Sequence, residues 1–317
     1  MTSASSMPVS CALLDPARTA ERLPYPLLVK ALTALLQDPS VQVPARLVLP
    51  LSGGGSLFVM PALDGLSAIT KLITFTPANA GRGLATIQGD VVVFDVATGQ
   101  RRLILDGPTV TARRTAAVSV LAAQRLAPCK QGPLLIVGAG VQGKAHLEAF
   151  AEGLNTREFL IASRSLSSAQ GLAHYAQTLG LQARVVLDAD AALADCPIAV
   201  TCTPAHEVVL GALPRGDAFV AAVGAFTPKM AELSPELCRY FAAHGTVVVD
   251  TVDAAHEAGD LLQAGLEVTR FASLADVVRT EAFAAKGPVL FKSCGWAGWD
   301  LAAARTALAQ AVGPHAD

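Results

Sequence analysis

Charged and aromatic residues are scarce in this chain, at 16% and 5% of 317 residues, and the formal net charge is −2. Because no cluster of basic residues recurs along the sequence, we expect no nucleic-acid partner. Apolar residues make up 52% of the chain, which excludes an intrinsically disordered protein. The longest apolar runs, such as 218–226, are far shorter than the ~18 residues of a membrane-spanning helix, so we expect no membrane partner.

Cysteine and histidine form no recognisable metal or disulfide pattern. The six cysteines include no C-x-x-C pair, and a chain of this length does not need disulfide cross-links. The six histidines lack a spacing such as H-x-x-x-H, so we expect no metal site. The stretch 1–14 lacks the charged and apolar regions of a signal peptide. Together these features predict a cytoplasmic protein.

The pattern of apolar residues divides the chain into two regions. A helix predicted over 21–36 is followed by strand-like segments and glycine turns, which indicates an α+β region with strands at 46–50, 56–60, 68–76, 91–95 and 102–105. A long helix over about 111–127 follows. Short apolar runs then alternate with Ala-rich helices, which is typical of a parallel sheet with strands at 133–137, 159–163, 183–187, 198–203, 218–223 and 247–250. The segment 290–312 is predicted to end in another helix.

A G-x-G-x-x-G motif follows the strand 133–137 and consists of Gly138, Ala139, Gly140, Val141, Gln142 and Gly143. A helical pattern begins directly after it and a second strand comes at 159–163, which is the context of a dinucleotide-binding βαβ unit. Gly138 would allow the tight turn, Gly140 would let the backbone approach a pyrophosphate, and Gly143 would permit close packing of helix and strand. The first N–H groups of the helix would hold the phosphates.

The end of the second strand bears on the choice of nicotinamide cofactor. NAD-specific sites usually carry Asp or Glu there, to bind the ribose 2′-hydroxyl. This sequence has Ser163, Arg164 and Ser165 instead. A guanidinium flanked by two hydroxyls suits a 2′-phosphate, so we expect NADPH to be preferred, with NADH possible. The alternative is that Arg164 is a solvated loop residue.

Further motifs resemble the ornithine cyclodeaminase/mu-crystallin family over nearly the whole chain: MPA at 60–62, GLATIQG at 83–89, RTAA at 114–117, EAGD at 257–260 and FKSCG at 291–295. The resemblance implies an α/β fold in which a Rossmann dinucleotide-binding domain is inserted into an α+β substrate-binding and dimerisation domain. The expected boundaries are 116–289 for the Rossmann domain and 1–115 plus 290–317 for the other. The resemblance also implies a homodimer, and hydride exchange at C2 of an imine or iminium of an α-carboxylate.

By the same resemblance, three basic residues match the positions that bind the substrate carboxylate: Arg46, Lys71 and Arg114. Arginine offers a planar fork for two carboxylate oxygens and lysine a point charge. Lys71 is also the candidate catalytic residue, as a proton donor. The alternative for Arg46 or Arg114 is a structural salt bridge, and for Lys71 it is a structural role. The resemblance further implies that the cofactor is contacted by Arg114 and lined on its nicotinamide side by Thr86, Thr115, Thr203 and Val223.

Two departures from the cyclodeaminase pattern steer the choice of substrate. Phe58 and Phe226 stand where the cyclodeaminases carry acidic residues. A deaminating cyclase needs acid–base groups, whereas a preformed cyclic imine needs hydride and a shaped apolar surface. We therefore predict that the protein reduces small cyclic ketimines, Δ1-pyrroline-2-carboxylate to L-proline and Δ1-piperideine-2-carboxylate to L-pipecolate.

Four alternatives stay open at this point. The protein could be an ornithine cyclodeaminase with bound NAD, an alanine dehydrogenase-like enzyme, or a non-catalytic protein that binds NADPH and small carboxylates. The two phenylalanines could also be ordinary core residues, with another acid in the catalytic role.

Overall fold

The computed structural model describes residues 11–204, 207–280 and 283–311. The backbone divides into two compact units, the first with residues up to 31, 38–111 and from 297 onward, the second with 32–37 and 112–296. The boundaries expected from the sequence, 115/116 and 289/290, differ from these by a few residues. The difference at the second boundary arises because 289–292 is a strand of the second unit's sheet, which the sequence analysis did not predict.

The first unit is built around a six-stranded sheet. Its elements begin with β1 (Ala12–Leu13), α1 (Pro16–Glu21) and α2 (Tyr25–Gln37), of which only 25–31 belong to this unit. They continue with β2 (Leu47–Pro50), β3 (Ser56–Leu63), β4 (Ser67–Phe75), a 3-10 helix (Pro77–Arg82), β5 (Ile87–Asp95) and β6 (Arg101–Asp106). The strand order is β1-β6-β5-β4-β3-β2, and all pairs are antiparallel except β1 with β6. The hairpin predicted over 91–105 is confirmed as β5 and β6.

The second unit has more elements, and α3 (Gly107–Leu126) leads into it. They are β7 (Leu134–Val137), α4 (Val141–Gly153), β8 (Glu158–Ala162), α5 (Leu166–Thr178), β9 (Gln182–Val185), α6 (Ala189–Leu193), β10 (Ile198–Thr201), β11 (Phe219–Ala222), α7 (Pro235–His244), β12 (Thr246–Val249), α8 (Ala254–Glu257), α9 (Gly259–Gln263), a 3-10 helix (Val268–Arg270), β13 (Ala272–Ser273), α10 (Leu274–Arg279) and β14 (Val289–Lys292). The last helix, α11 (Ala297–Ala311), belongs to the first unit.

All eight strands of the second unit run parallel, in the order β13-β12-β14-β11-β10-β7-β8-β9. Every residue of β7, β10, β11 and β14 is buried, as expected for parallel strands covered on both faces. The order reverses between β7 and its neighbour β10, and ligands of such sheets bind outside the carboxyl ends of the strands at this point. The structure confirms the predicted α/β fold.

Alternation along β4 explains how a lysine comes to lie inside the first unit. Residues Ser67, Ile69, Lys71 and Ile73 of this strand are buried, whereas Leu72 between them is 45% exposed. Successive side chains of a strand point to opposite faces of the sheet. Helix α11 packs on β3, β4 and β5. The two-residue period therefore places Lys71 on the buried face with two isoleucines.

Three further observations concern the described ranges. No helix in them is long and apolar enough to cross a membrane. No three of their His, Cys, Asp and Glu side chains are grouped so that they could hold a metal ion. All six cysteines lie within these ranges, and none of them forms a disulfide there.

Candidate active site

The glycine loop after β7 has the backbone geometry of a phosphate cradle. Gly138 has a φ of +116°, a left-handed conformation that favours glycine, and a Cβ there would lie 2.9 Å from the carbonyl oxygen of Cys202. A Cβ at Gly143 would collide with the carbonyl oxygen of Gly138. A Cβ at Gly140 would meet nothing within 4 Å, and Gly140 is the N-cap of α4. Open space at the N-terminus of a 13-residue helix fits a pyrophosphate.

Three of the predicted cofactor segments follow neighbouring strands of the parallel sheet. The loop 138–143 follows β7, Thr203 comes just after β10, and Val223 comes directly after β11. The methyl carbon Cγ2 of Thr203 would lie 3.1 Å from a Cβ on Gly138, so the first two segments are in contact. The backbone N–H of Val223 donates to the carbonyl of Thr201 at 2.9 Å. The structure thus brings these segments to one edge of the sheet.

The turn after β8 carries the residues expected at a 2′-phosphate. Arg164 is exposed, and Ser165 is the N-cap of α5, where its hydroxyl accepts the N–H of Ser168 at 3.2 Å. The hydroxyl of Ser163 accepts the N–H of Ser165 at 3.3 Å. Arg164 is therefore placed at the carboxyl edge of the sheet, on a turn ordered by serine hydroxyls.

Lys71 has a buried carboxylate beside it in the first unit. Its Nζ lies 2.8 Å from Oδ2 of Asp300, and the two side chains are 1% and 0% exposed. The ammonium also donates to Oγ1 of Thr111 at 3.5 Å. The sequence analysis did not identify Asp300. It is the only acidic residue of the Ala-rich helix α11, and an isolated acid in such a helix indicates a buried partner of opposite charge.

The two arginines of the predicted carboxylate site lie in different units. Arg46 is half-buried and directly precedes β2 in the first unit. Arg114 is 5% exposed on α3 in the second unit, and its guanidinium nitrogens would lie 3.4 Å from a Cβ on Gly295. The predicted nicotinamide residues are divided in the same way, since Thr86 precedes β5 in the first unit and buried Thr115 follows Arg114 in the second.

The two phenylalanines are half-buried in separate units. Phe58 lies on β3, paired with Val48 of β2 and Ile73 of β4. Phe226 follows β11 and packs against the hydrophobic core of the second unit. The contact of Phe226 with that core favours a packing role for at least part of its surface, which is the alternative that the sequence left open.

A buried charged network that the sequence analysis missed lies behind the edge formed by Thr203 and Val223. The carboxylate of Glu232 accepts hydrogen bonds from Thr203, Gly224 and Ala225. Burial raises the pKa of Glu232, although Lys292 and the backbone donors act in the opposite direction. Burial acts to lower the pKa of Lys292, but Asp260 at 2.8 Å together with Cys294 and Glu232 raises that pKa.

The doubly wound parallel sheet and the glycine loop at its switch point define the second unit as a Rossmann-type domain. The chain belongs to the ornithine cyclodeaminase/mu-crystallin family, whose model matches residues 21–313. This match confirms the family inferred from the sequence motifs.

Several known proteins are similar along their full length. Delta(1)-pyrroline-2-carboxylate reductase 2 of Burkholderia ambifaria is 42% identical over 97% of both chains. The Delta(1)-pyrroline-2-carboxylate/Delta(1)-piperideine-2-carboxylate reductase of Azospirillum brasilense is 41% identical over 97% of both. A solved structure of Thermococcus litoralis Delta(1)-pyrroline-2-carboxylate reductase with NADH and L-proline has a TM-score of 0.86, covers 95% of this chain and 97% of its own, and is 24% identical. At 24% identity, the similarity to the Thermococcus litoralis structure shows a shared fold and no more.

Proposed function

We propose that this protein is a ketimine reductase that uses NAD(P)H to convert Δ1-pyrroline-2-carboxylate to L-proline and Δ1-piperideine-2-carboxylate to L-pipecolate. The observation that carries the proposal is the 41–42% identity, over 97% of each chain, to enzymes named for these reductions. The class of activity expected from the sequence agrees with those names. Phenylalanine at positions 58 and 226, where cyclodeaminases have acids, supports a preformed imine over ornithine.

The reaction adds a hydride to C2 and a proton to the ring nitrogen of the imine. A bound reduced nicotinamide supplies the hydride, so the chain's own part is to bind and orient the substrate and to control protons. Lys71 supports this role because it is a buried cation, held beside Asp300, on a strand whose nearest inward residues, Ile69 and Ile73, are apolar. A buried ammonium attracts a substrate carboxylate far more strongly than an exposed one does. Arg46 and Arg114 would hold the same carboxylate.

The glycine loop and the turn after β8 support NADPH as the preferred cofactor. The open space at Gly140 fits the pyrophosphate, and the N-terminus of α4 offers backbone N–H groups to it. Arg164 stands where an acidic residue would bind the ribose hydroxyls of NADH, and its guanidinium suits a 2′-phosphate. NADH remains the second cofactor of the proposal.

A homodimer is the further part of the proposal, and strand β2 supports it. All four residues of β2 are exposed, and within the described residues it forms one end of the six-stranded sheet. Leu47, Val48 and Leu49 are 52%, 45% and 43% exposed. An apolar edge strand of this kind promotes association unless another chain or element covers it. A second copy of the chain would cover it.

A direct assay separates the proposed activity from its alternatives. Oxidation of NADPH should depend on added Δ1-pyrroline-2-carboxylate or Δ1-piperideine-2-carboxylate, and the products should be L-proline and L-pipecolate. Ornithine without added reductant should release no ammonia. Ammonia from ornithine would instead indicate a cyclodeaminase, and binding of NADPH without turnover of either imine would indicate a non-catalytic binding protein.

A further inference from the structure

Glu232 ties together two segments at the carboxyl edge of the parallel sheet. Its Oε1 accepts the backbone N–H of Thr203 at 2.6 Å and the hydroxyl of Thr203 at 2.9 Å. Its Oε2 accepts the backbone N–H groups of Gly224 and Ala225 at 2.6 and 3.2 Å. Thr203 follows β10 and Gly224 follows β11, so one carboxylate spans the ends of two adjacent strands. Both oxygens accept two hydrogen bonds each, and an ionised carboxylate, which only accepts, suits this set of four donors.

The two segments approach each other closely on either side of this carboxylate. A Cβ on Gly224 would collide with the carbonyl oxygen of Thr203 and would lie 2.6 Å from its nitrogen. Only glycine therefore fits at position 224 while the Glu232 carboxylate holds both segments. The separation of the two strand ends is fixed by these contacts and not by the sheet hydrogen bonds alone.

A second carboxylate and a lysine keep the Glu232 anion in place. Oδ1 of Asp260 accepts the backbone N–H groups of Glu232 and Leu233 at 2.6 and 2.9 Å. These two hydrogen bonds hold the backbone from which the Glu232 side chain extends. Lys292 pairs with Oδ2 of Asp260 at 2.8 Å and donates to the carbonyl oxygen of Ala225 at 2.5 Å. Glu232 and Lys292 are both 0% exposed. A buried charge needs a counter-charge or hydrogen bonds. Lys292 and Asp260 form an ion pair, and Glu232 is held by four hydrogen bonds.

We propose that Glu232 is a positioning residue that sets the nicotinamide-facing edge of the site. By holding Thr203 against Gly224, it would fix Thr203 and Val223, the two residues expected beside the nicotinamide ring. It would also orient the segment that carries Phe226. The proposal rests on the proposed function to the extent that a nicotinamide nucleotide binds at this edge. The four hydrogen bonds that the Glu232 carboxylate accepts come from Thr203, Gly224 and Ala225, which lie outside the pyrophosphate loop and the turn with Arg164. The other end of the nucleotide is therefore expected to bind independently of Glu232.

The test compares Glu232→Gln with the wild type in three measurements. Glutamine keeps the size but has one acceptor oxygen, so its amide nitrogen faces a backbone donor. The dissociation constant of NADPH, from fluorescence titration, should change by less than about threefold, because the phosphate contacts are intact. The rate of hydride transfer to Δ1-pyrroline-2-carboxylate in a single turnover should fall by about tenfold or more, since small errors in alignment are costly. The anisotropy of the bound nicotinamide fluorescence should fall as the ring gains motion.

Asp190→Asn is the matched control. Asp190 accepts the backbone N–H groups of Gly211 and Ala212 at 2.7 and 2.9 Å, so the variant also removes a carboxylate from backbone donors in the same unit. It should keep the wild-type hydride-transfer rate and anisotropy. If Glu232→Gln does not fold, Glu232→Asp retains the charge but shortens the reach by one methylene, and it should show the same separation of rate from affinity.

Two results would overturn the proposal. One is a Glu232 variant with wild-type anisotropy and a hydride-transfer rate within about twofold of the wild type. The other is a variant in which NADPH affinity and rate fall together, in step with the melting temperature, since that indicates general loss of structure. If the wild type reduces neither imine, the proposed function fails, but the anisotropy of bound NADPH still tests Glu232.

Discussion

The buried Lys71–Asp300 ion pair allows the contribution of Lys71 to folding to be separated from its contribution to catalysis. The two side chains lie 2.8 Å apart and are 1% and 0% exposed. Removing one member of such a pair leaves the other charge buried without its counter-ion and costs about 3–5 kcal/mol of folding stability, whereas removing both is often close to neutral. Lys71→Met and Asp300→Asn should each destabilise the protein by that amount, and the double variant should recover most of the loss.

Activity should follow a different pattern in the same three variants. If Lys71 contacts the substrate carboxylate, Lys71→Met removes a contact of ~3 kcal/mol and lowers kcat/KM by ~10²-fold or more. The double variant should be equally impaired although its stability is restored. Stability is measured by urea unfolding, followed through tryptophan fluorescence, to which Trp299, fully buried in α11 next to Asp300, contributes. Activity is measured as imine-dependent NADPH oxidation.

A part-exposed ion pair in the same unit provides the control. Asp38→Asn breaks the contact of Asp38 with Arg305, whose side chains are 28% and 25% exposed, and should cost no more than ~1 kcal/mol. Near-normal kcat/KM in Lys71→Met would refute the substrate contact and leave Lys71 a structural role. A double variant no more stable than the single ones would refute the argument from charge compensation.

Three other predictions concern the cofactor, the oligomeric state and the response to pH. Arg164→Ala should raise the dissociation constant of NADPH more than that of NADH, and equal effects would contradict a 2′-phosphate contact. Replacing Leu47 and Leu49 together by Asp should shift the mass measured by light scattering from dimer to monomer, and an unchanged mass would exclude β2 from the interface. Burial lowers the pKa of His146 from 6.5 to about 4, so the folded state stays neutral while the unfolded chain takes up a proton. Stability should therefore be lost as the pH falls from about 6.5 to about 4, by on the order of 3 kcal/mol. His146→Gln should flatten that decline, whereas His174→Gln, at an exposed histidine, should not.

Features that depend on local sequence were predicted well. The G-x-G-x-x-G loop could be recognised because its strand, turn and helix are contiguous, and the hairpin β5–β6 because its two strands flank a short turn. Lys71 could be placed on a strand because its neighbours are apolar and β-branched. Strand β14 was missed because its four residues, three of them apolar and the fourth Lys292, are too few to show a period that distinguishes a strand from the approach to the following helix.

Features that depend on tertiary contacts were not predictable in the same way. Glu232 lies in the connection between β11 and α7, and nothing in its sequence neighbours separates it from a surface acid. It is buried because β10, β11 and β14 bring Thr203, Gly224 and Lys292 around it. Asp300 is likewise defined by its contact with a strand far away in the sequence. One sequence without aligned relatives does not reveal such pairings.

The low charge of the chain is connected with the nature of the proposed substrate. Among the described residues, the buried acids have compensating donors: Asp300 has Lys71, Asp260 has Lys292, and Asp250 accepts N–H groups of Thr251, Cys294 and Gly295. A carboxylate at position 226, against an apolar core, would need a comparable partner. Ornithine supplies one in its second amino group, but a cyclic ketimine has only its ring nitrogen. Phenylalanine at this position avoids an uncompensated charge, and for this reason the substitution favours a ring substrate over a diamine.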